Sequence, residues 1–245
     1  MQKASYLIRP VNEGEVPQLV EIDREAFPDE WLFRSYRAYK WDLKNPSAHY
    51  LVACTENNST MPQSYAQRKE SSKLSQQNRQ QIPWFKRLFK PDNLIASITT
   101  SRNFDPASRL QEEEKITQLQ KQDIIGFVGS WIMIKEAHII IIAVRNSYRR
   151  MGIGEKLLIS IIDLAAQLNT DVVTLEVRAS NQTAQALYQK YGFQIIERRI
   201  GYYSDNKEDA IVMSTDSISS ASFQSRFQEL KQIHDQRWME ASVTT

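Results

Sequence analysis

The stretch Ala143-Val144-Arg145-Asn146-Ser147-Tyr148-Arg149-Arg150-Met151-Gly152-Ile153-Gly154-Glu155-Lys156-Leu157-Leu158 joins an apolar, β-branched run to a segment of helical period through a loop ending in Arg-x-x-Gly-x-Gly. Two glycines let backbone approach a ligand closely, and the first turn of a helix offers N–H groups that no earlier carbonyl satisfies. Together they suit a pyrophosphate. The same glycines would also serve tight packing of a helix on a strand, so the pair alone leaves both readings open. A P-loop is set aside because no Gly-Lys-Ser/Thr ending is present, and a dinucleotide site because Asp171, the nearest acidic candidate about 20 residues on, opens a strand instead of ending one.

On either side of this loop the pattern is regular. Ile124 to Ile134 is apolar and broken by Gly126 and Gly129, and His138 to Val144 is the continuous run expected of a strand covered on both faces. Gly152 to Leu168 puts Ile153, Leu157, Leu158, Ile161, Ile162 and Ala165 on one helical stripe. Val172 to Arg178 alternates, Asn181 to Tyr191 is helical, and Gln194 to Ile200 and Asp209 to Ser214 read as strands. The order β-β-α-β-α-β-β predicts an α/β or α+β sheet with helices packed over it. Upstream, Tyr6 to Arg9 reads as a strand stopped by Pro10, Glu13 to Ala26 as a helix, Arg34 to Leu43 as a second helical stretch, and His49 to Thr55 as a strand.

Between residues 56 and 122 the periodicity is lost. Gln, Ser, Asn and Lys dominate, and Pro62, Pro83, Pro91 and Pro106 punctuate the segment, the composition of a polar and partly disordered insertion. The expected organisation is therefore one domain made of residues 1–55 and 123–216, interrupted by an insertion over 56–122 and followed by a helical extension over 217–245. Within the insertion, Trp84-Phe85-Lys86-Arg87-Leu88-Phe89-Lys90 fits a docking patch for RNA, anionic lipid or protein, or an amphipathic turn packed on the domain. Leu110 to Gln122 is a charged helical stretch, and a polar helical tail runs from Phe223 to about Met239.

Composition narrows the function classes. A net charge of +2 in 245 residues gives no overall field for nucleic acid or membrane. A single cysteine, Cys54, cannot form an internal disulfide, and His49, His138 and His234 lack metal-ligand spacing, which points to a reducing, cytoplasmic setting and no metal. The longest apolar run, Ile139 to Val144, is far below the ~20 residues that span a bilayer.

Arg149-Arg150-Met151-Gly152-Ile153-Gly154 resembles the Arg/Gln-x-x-Gly-x-Gly/Ala pyrophosphate loop of GNAT acetyltransferases. Leu175-Glu176-Val177-Arg178-Ala179-Ser180-Asn181, Ala186-Leu187-Tyr188 and Tyr191-Gly192-Phe193 look like that family's later motifs, in order and at its intervals. Tyr202-Tyr203, Glu208 to Met213, Glu136-Ala137-His138 and, more weakly, Phe27 to Trp31 extend the likeness over about two thirds of the chain. Within the family the likeness is to the bacterial ribosomal-protein-alanine N-acetyltransferases. The insertion and the tail depart from the family's pattern.

The resemblance implies a GNAT fold, with a mixed twisted sheet of six or seven strands flanked by about four helices, and acetyl-CoA as co-substrate. It implies a protein N-terminus as acceptor, that of a ribosomal protein, with a small amine, other protein N-termini or a non-catalytic acyl-CoA-binding module as alternatives. In Val172 to Arg178, Glu176 shares a face with Thr174 and Arg178 and is a surface acid by pattern. By resemblance it is the general base that deprotonates an ammonium. Tyr188 is a core aromatic by pattern and, by resemblance, the general acid for the leaving thiolate. Asn181 reads as an N-cap and by resemblance also contacts the cofactor. Backbone of Ile142, Ala143 and Val144 is implied to pair with the pantetheine and acetyl carbonyl, while Arg149, Arg150, Met151, Gly152, Ile153 and Gly154 are implied to surround the pyrophosphate.

Overall fold

The computed structural model describes residues 6–28, 36–55 and 122–243. Every strand and helix among them belongs to one unit, residues 1–59 with 123–245. The cluster Trp84 to Lys90 and nearly all of the stretch Leu110 to Gln122 lie outside the described residues, as do Asp29 to Trp31.

Seven strands form one sheet in the order β1-β2-β3-β4-β5-β7-β6. They are β1 (Tyr6–Pro10), β2 (Ala48–Thr55), β3 (Ile124–Met133), β4 (Glu136–Val144), β5 (Val172–Arg178), β6 (Phe193–Arg199) and β7 (Ala210–Thr215). Every neighbouring pair is antiparallel except β4 and β5. The helices are α1 (Val16–Ala26), α2 (Tyr36–Asp42), α3 (Ile153–Gln167), α4 (Gln182–Lys190) and α5 (Ala221–Val243). This is the expected mixed sheet flanked by helices. Among the described residues no helix is long and apolar enough to cross a membrane.

The helical stripe of the sequence becomes the buried face of α3, where Ile153, Leu157, Leu158, Ile161, Ile162 and Ala165 are all covered. That face packs on β2, β3 and β4. Each large aliphatic side chain so buried contributes about 1.5–3 kcal/mol. Helix α1 buries Val16, Leu19 and Ile22 in a second cluster with Tyr39, Tyr50, Phe127, Ile141 and Ala143. In that cluster Gly129 makes room for an aromatic: a Cβ there would stand 2.5 Å from the Tyr50 ring.

Strand β4 corrects one expectation. Its burial alternates instead of being complete on both faces, with Ile140, Ile142 and Val144 only partly covered. These residues line an open cleft, so the unbroken apolar run reflects a cleft-facing wall as well as a core-facing one. Helix α5 is longer than the predicted tail and is fastened to the domain. Phe227 is buried, edge-on to Tyr191 (6.3 Å between centroids) and stacked on Phe223 (6.0 Å). Asp235 pairs with Lys156 at 2.6 Å.

The two ends of segment 56–122 meet on adjacent strands: Thr55 N–H donates to Asp123 C=O at 3.1 Å, and Cys54 stands opposite Ile124. Closing a surface loop costs little more when it is long than when it is short. A chain lacking roughly Ser59 to Gln120, joined by a short flexible linker, should therefore fold and still bind acetyl-CoA. Loss of a cooperative thermal transition in that chain would show that the segment belongs to the core.

Candidate active site

Strands β4 and β5 pair from Glu136–Val172 to Ile139–Leu175 and then part. The cause lies in β4. Its register with β3 shifts where Gly129 faces Ile141 and Ser130 faces Ile139, leaving Ile140 as an extra residue. Such a bulge bends its strand. The parting opens a cleft of about 1500 Å³ walled by both strands. Ile142, Ala143 and Val144 pair on one side only, with Val128, Phe127 and Gly126. Their other edge is open to an extended ligand that adds as a strand would.

At one end of the cleft stands the N-terminus of α3. Gly152 is its N-cap at φ +81°, a left-handed conformation that L side chains adopt only under strain, and no side chain among the described residues caps this end. The amides of Ile153, Gly154 and Glu155 thus form an uncapped helix start suited to an anion. The preceding loop is tied to α1: buried Arg145 donates to Ile124 C=O at 2.9 Å and reaches Glu21 and Glu25, while Asn146 N–H donates to Glu25 at 2.7 Å. From the other side, His234 of α5 lies 3.2 Å from the Gly152 carbonyl. Arg149 donates to the Val144 carbonyl at 3.2 Å, so one of its donors serves the loop. All the predicted cofactor residues line the cleft except Met151.

Asn181 caps α4, accepting from Ala184 N–H at 3.1 Å, and also lines the cleft, so the capping reading holds. Gln185 fixes the β5–α4 turn by donating to the Arg178 and Ala179 carbonyls, each at 3.0 Å. That turn sets where α4 presents Tyr188. The Tyr188 ring stands 5.8 Å from Phe193, and burial pushes the pKa of its hydroxyl up to about 12, which keeps it protonated at neutral pH.

Glu176 projects from β5 just beyond the last β4–β5 pair. It is 13% exposed and held from two sides: Oε2 is 2.9 Å from His138 Nε2, and Oε1 accepts from Arg199 Nη1 at 2.6 Å. The hydrogen bond from His138 is the largest influence on its carboxyl and, with Arg199, outweighs burial, so the group stays below the ordinary carboxylate value. Arg178, next on the same face, pairs with Asp205 (2.9 Å) and Glu208 (3.0 Å) of the loop between β6 and β7 and lies 3.9 Å from the Tyr203 ring centre. It thereby holds Tyr203, and Tyr202 edge-on to it, in a cleft lining that also includes Tyr39, Tyr50 and Trp131. Sequence reasoning missed His138 and Arg199. A histidine beginning an otherwise aliphatic strand was the available signal for the first; nothing local marks the second, which arrives through the β6–β7 hairpin.

Residues 76–193 match the acetyltransferase (GNAT) family. A ribosomal protein bS18-alanine N-acetyltransferase of Escherichia coli (strain K12) is 38% identical over 97 residues, 39% of this chain and 66% of the relative. An N-alpha-acetyltransferase of Sulfurisphaera tokodaii is 41% identical over 83 residues, 34% of this chain and 49% of the relative. The chain thus spans about half to two thirds of the length of these curated relatives. The crystal structure of the ribosomal-protein-S18-alanine N-acetyltransferase from Escherichia coli superposes with a TM-score of 0.55 at 21% identity, covering 89% of this chain and 97% of that one. The chain therefore carries a GNAT acetyltransferase domain.

Proposed function

We propose that this domain transfers acetyl from acetyl-CoA to the N-terminal α-amino group of a protein, by direct attack in a ternary complex, and that its acceptor is the N-terminal alanine of a small-subunit ribosomal protein. The observation that carries the reading is the ionised, half-enclosed Glu176 carboxylate at the point where β4 and β5 part, in one cleft with the α3 N-terminus and Tyr188. The acceptor amine lies in the cleft lined by Tyr39, Tyr50, Tyr202 and Tyr203. Glu176 takes its proton. The Val144 amide polarises the thioester carbonyl, the α3 N-terminus holds the pyrophosphate, and Tyr188 gives its proton to the departing thiolate. No residue of the chain is acylated. The activities of the two relatives support the acceptor class.

The test is incubation with acetyl-CoA and peptides beginning Ala, Ser, Met or Gly. Acetylation at the α-amine, fastest for Ala, is expected; an unmodified panel would overturn the reading. Tyr188→Phe keeps the ring against Phe193 and removes one hydroxyl. Its turnover should drop by about 10²-fold, with acetyl-CoA affinity and melting temperature unchanged. Higher pH should not restore it, since the thiolate lacks its donor. A wild-type rate would return Tyr188 to a packing role.

A further inference from the structure

Alternate residues of a strand share a face, and the parallel pairing of β4 with β5 sets Glu136 and His138 beside Thr174 and Glu176. These four side chains touch one after another. Glu176 Oε2 is 2.9 Å from His138 Nε2, His138 Nδ1 is 2.8 Å from Thr174 Oγ1, and the Thr174 hydroxyl donates to Glu136 Oε1. Glu176 is 13% exposed, His138 22% and Thr174 9%, and the far end, Glu136, is 45% exposed. The chain of contacts leads from the cleft to solvent.

Counting protons gives it a meaning. Three contacts between electronegative atoms need three protons to be hydrogen bonds, and a neutral imidazole and a hydroxyl bring only two. The arrangement is complete when one further proton sits between the two carboxylates. The proposed reaction supplies one. Of the three protons on an acceptor ammonium, one stays on the amide nitrogen, one accounts for the thiol of coenzyme A, and one must leave. Glu176 has to shed that last proton before the next turnover, and Arg199 at its other oxygen favours the return to carboxylate.

We propose that His138 and Thr174 are positioning residues that relay this proton: it passes from Glu176 to His138 Nε2 as the Nδ1 proton leaves through the Thr174 hydroxyl to the Glu136 carboxylate and solvent, and exchange of the Nε2 proton for one on Nδ1, through water, then resets the imidazole. The inference rests on the reading of Glu176 as the base. The charged groups facing the row are Glu136 from β4, Glu176 from β5 and Arg199 from β6.

Three variants test it in the full chain, with Ala-initiated peptide and acetyl-CoA. Thr174→Val removes the hydroxyl and leaves His138 on Glu176. His138→Gln keeps an amide donor near Glu176 but cannot pass a proton through. Both should lose kcat by about 10–100-fold with KM for acetyl-CoA and melting temperature unchanged. In His138→Ala, added imidazole should restore part of kcat in proportion to its concentration, since a free carrier can accept from Glu176. Wild-type kcat in Thr174→Val, or losses that imidazole leaves untouched, would overturn the relay while wild-type activity still upheld the proposed function. An inactive wild-type protein would overturn both.

Discussion

Glu176→Gln should lower turnover of an Ala-initiated peptide by about 10²–10⁴-fold near neutral pH, the usual loss when general-base catalysis is removed. Gln keeps the shape and can still accept from Arg199, so acetyl-CoA affinity should hold and the loss should fall on kcat. In the wild-type protein the base itself is not what titrates near neutrality. His138 and Arg199 keep the Glu176 carboxyl below its ordinary value, so it is already ionised and ready to take the proton of an ammonium, and the wild-type rate should depend less steeply on pH around neutrality than that of the variant. In Glu176→Gln, raising the pH should recover part of the activity because the amine then arrives without its extra proton. Stability carries the matching sign. A carboxyl whose folded value is depressed stabilises the fold above its unfolded value, and that contribution is lost as pH falls through the folded one, so acid and not alkali should narrow the difference between wild type and variant. Equal rates at pH 7 would make Glu176 an ordinary surface acid paired with two bases.

The parts of this molecule legible in the sequence are those set by local periodicity. The stripe of α3, the alternation of β5 and the Asn181 cap follow from spacing along one segment and are found where expected, save that Thr174 of β5 is covered. The site is less legible because its geometry comes from relations between segments. Nothing in Ile139 to Val144 says that the strand bulges at Ile140, since the bulge exists only against Gly129 and Ser130 of β3. The parting of β4 from β5 follows directly after that bulge. The partners of Glu176 show the same limit: His138 lies 38 residues before it and Arg199 comes from β6, the edge strand of the sheet. Gly129 looked like an interruption of a strand and proves to be a seat for Tyr50.

Gly154→Asp should move stability in opposite directions with and without ligand. At Gly154 a Cβ would meet only Val144 Cγ2, at 3.7 Å, and the backbone does not take a positive φ there, so a side chain fits the free protein. The position is in the first turn of α3, where a carboxylate interacts favourably with the helix dipole by about 0.3–1 kcal/mol and where replacing glycine removes up to about 1 kcal/mol of backbone entropy cost. The free variant should therefore melt no lower than wild type. The same carboxylate points negative charge at the place proposed for a pyrophosphate. Acetyl-CoA at 100 times its wild-type Kd should stabilise wild type by about 2.7 kcal/mol and the variant by essentially nothing. Gly152→Asp supplies the contrast, because φ of +81° makes any L residue there strained by about 1–3 kcal/mol, and that variant should lose both intrinsic stability and the ligand-induced rise. Thermal melts of the three proteins with and without acetyl-CoA decide the matter. If Gly154→Asp keeps the full ligand-induced shift, the pyrophosphate does not bind at the start of α3.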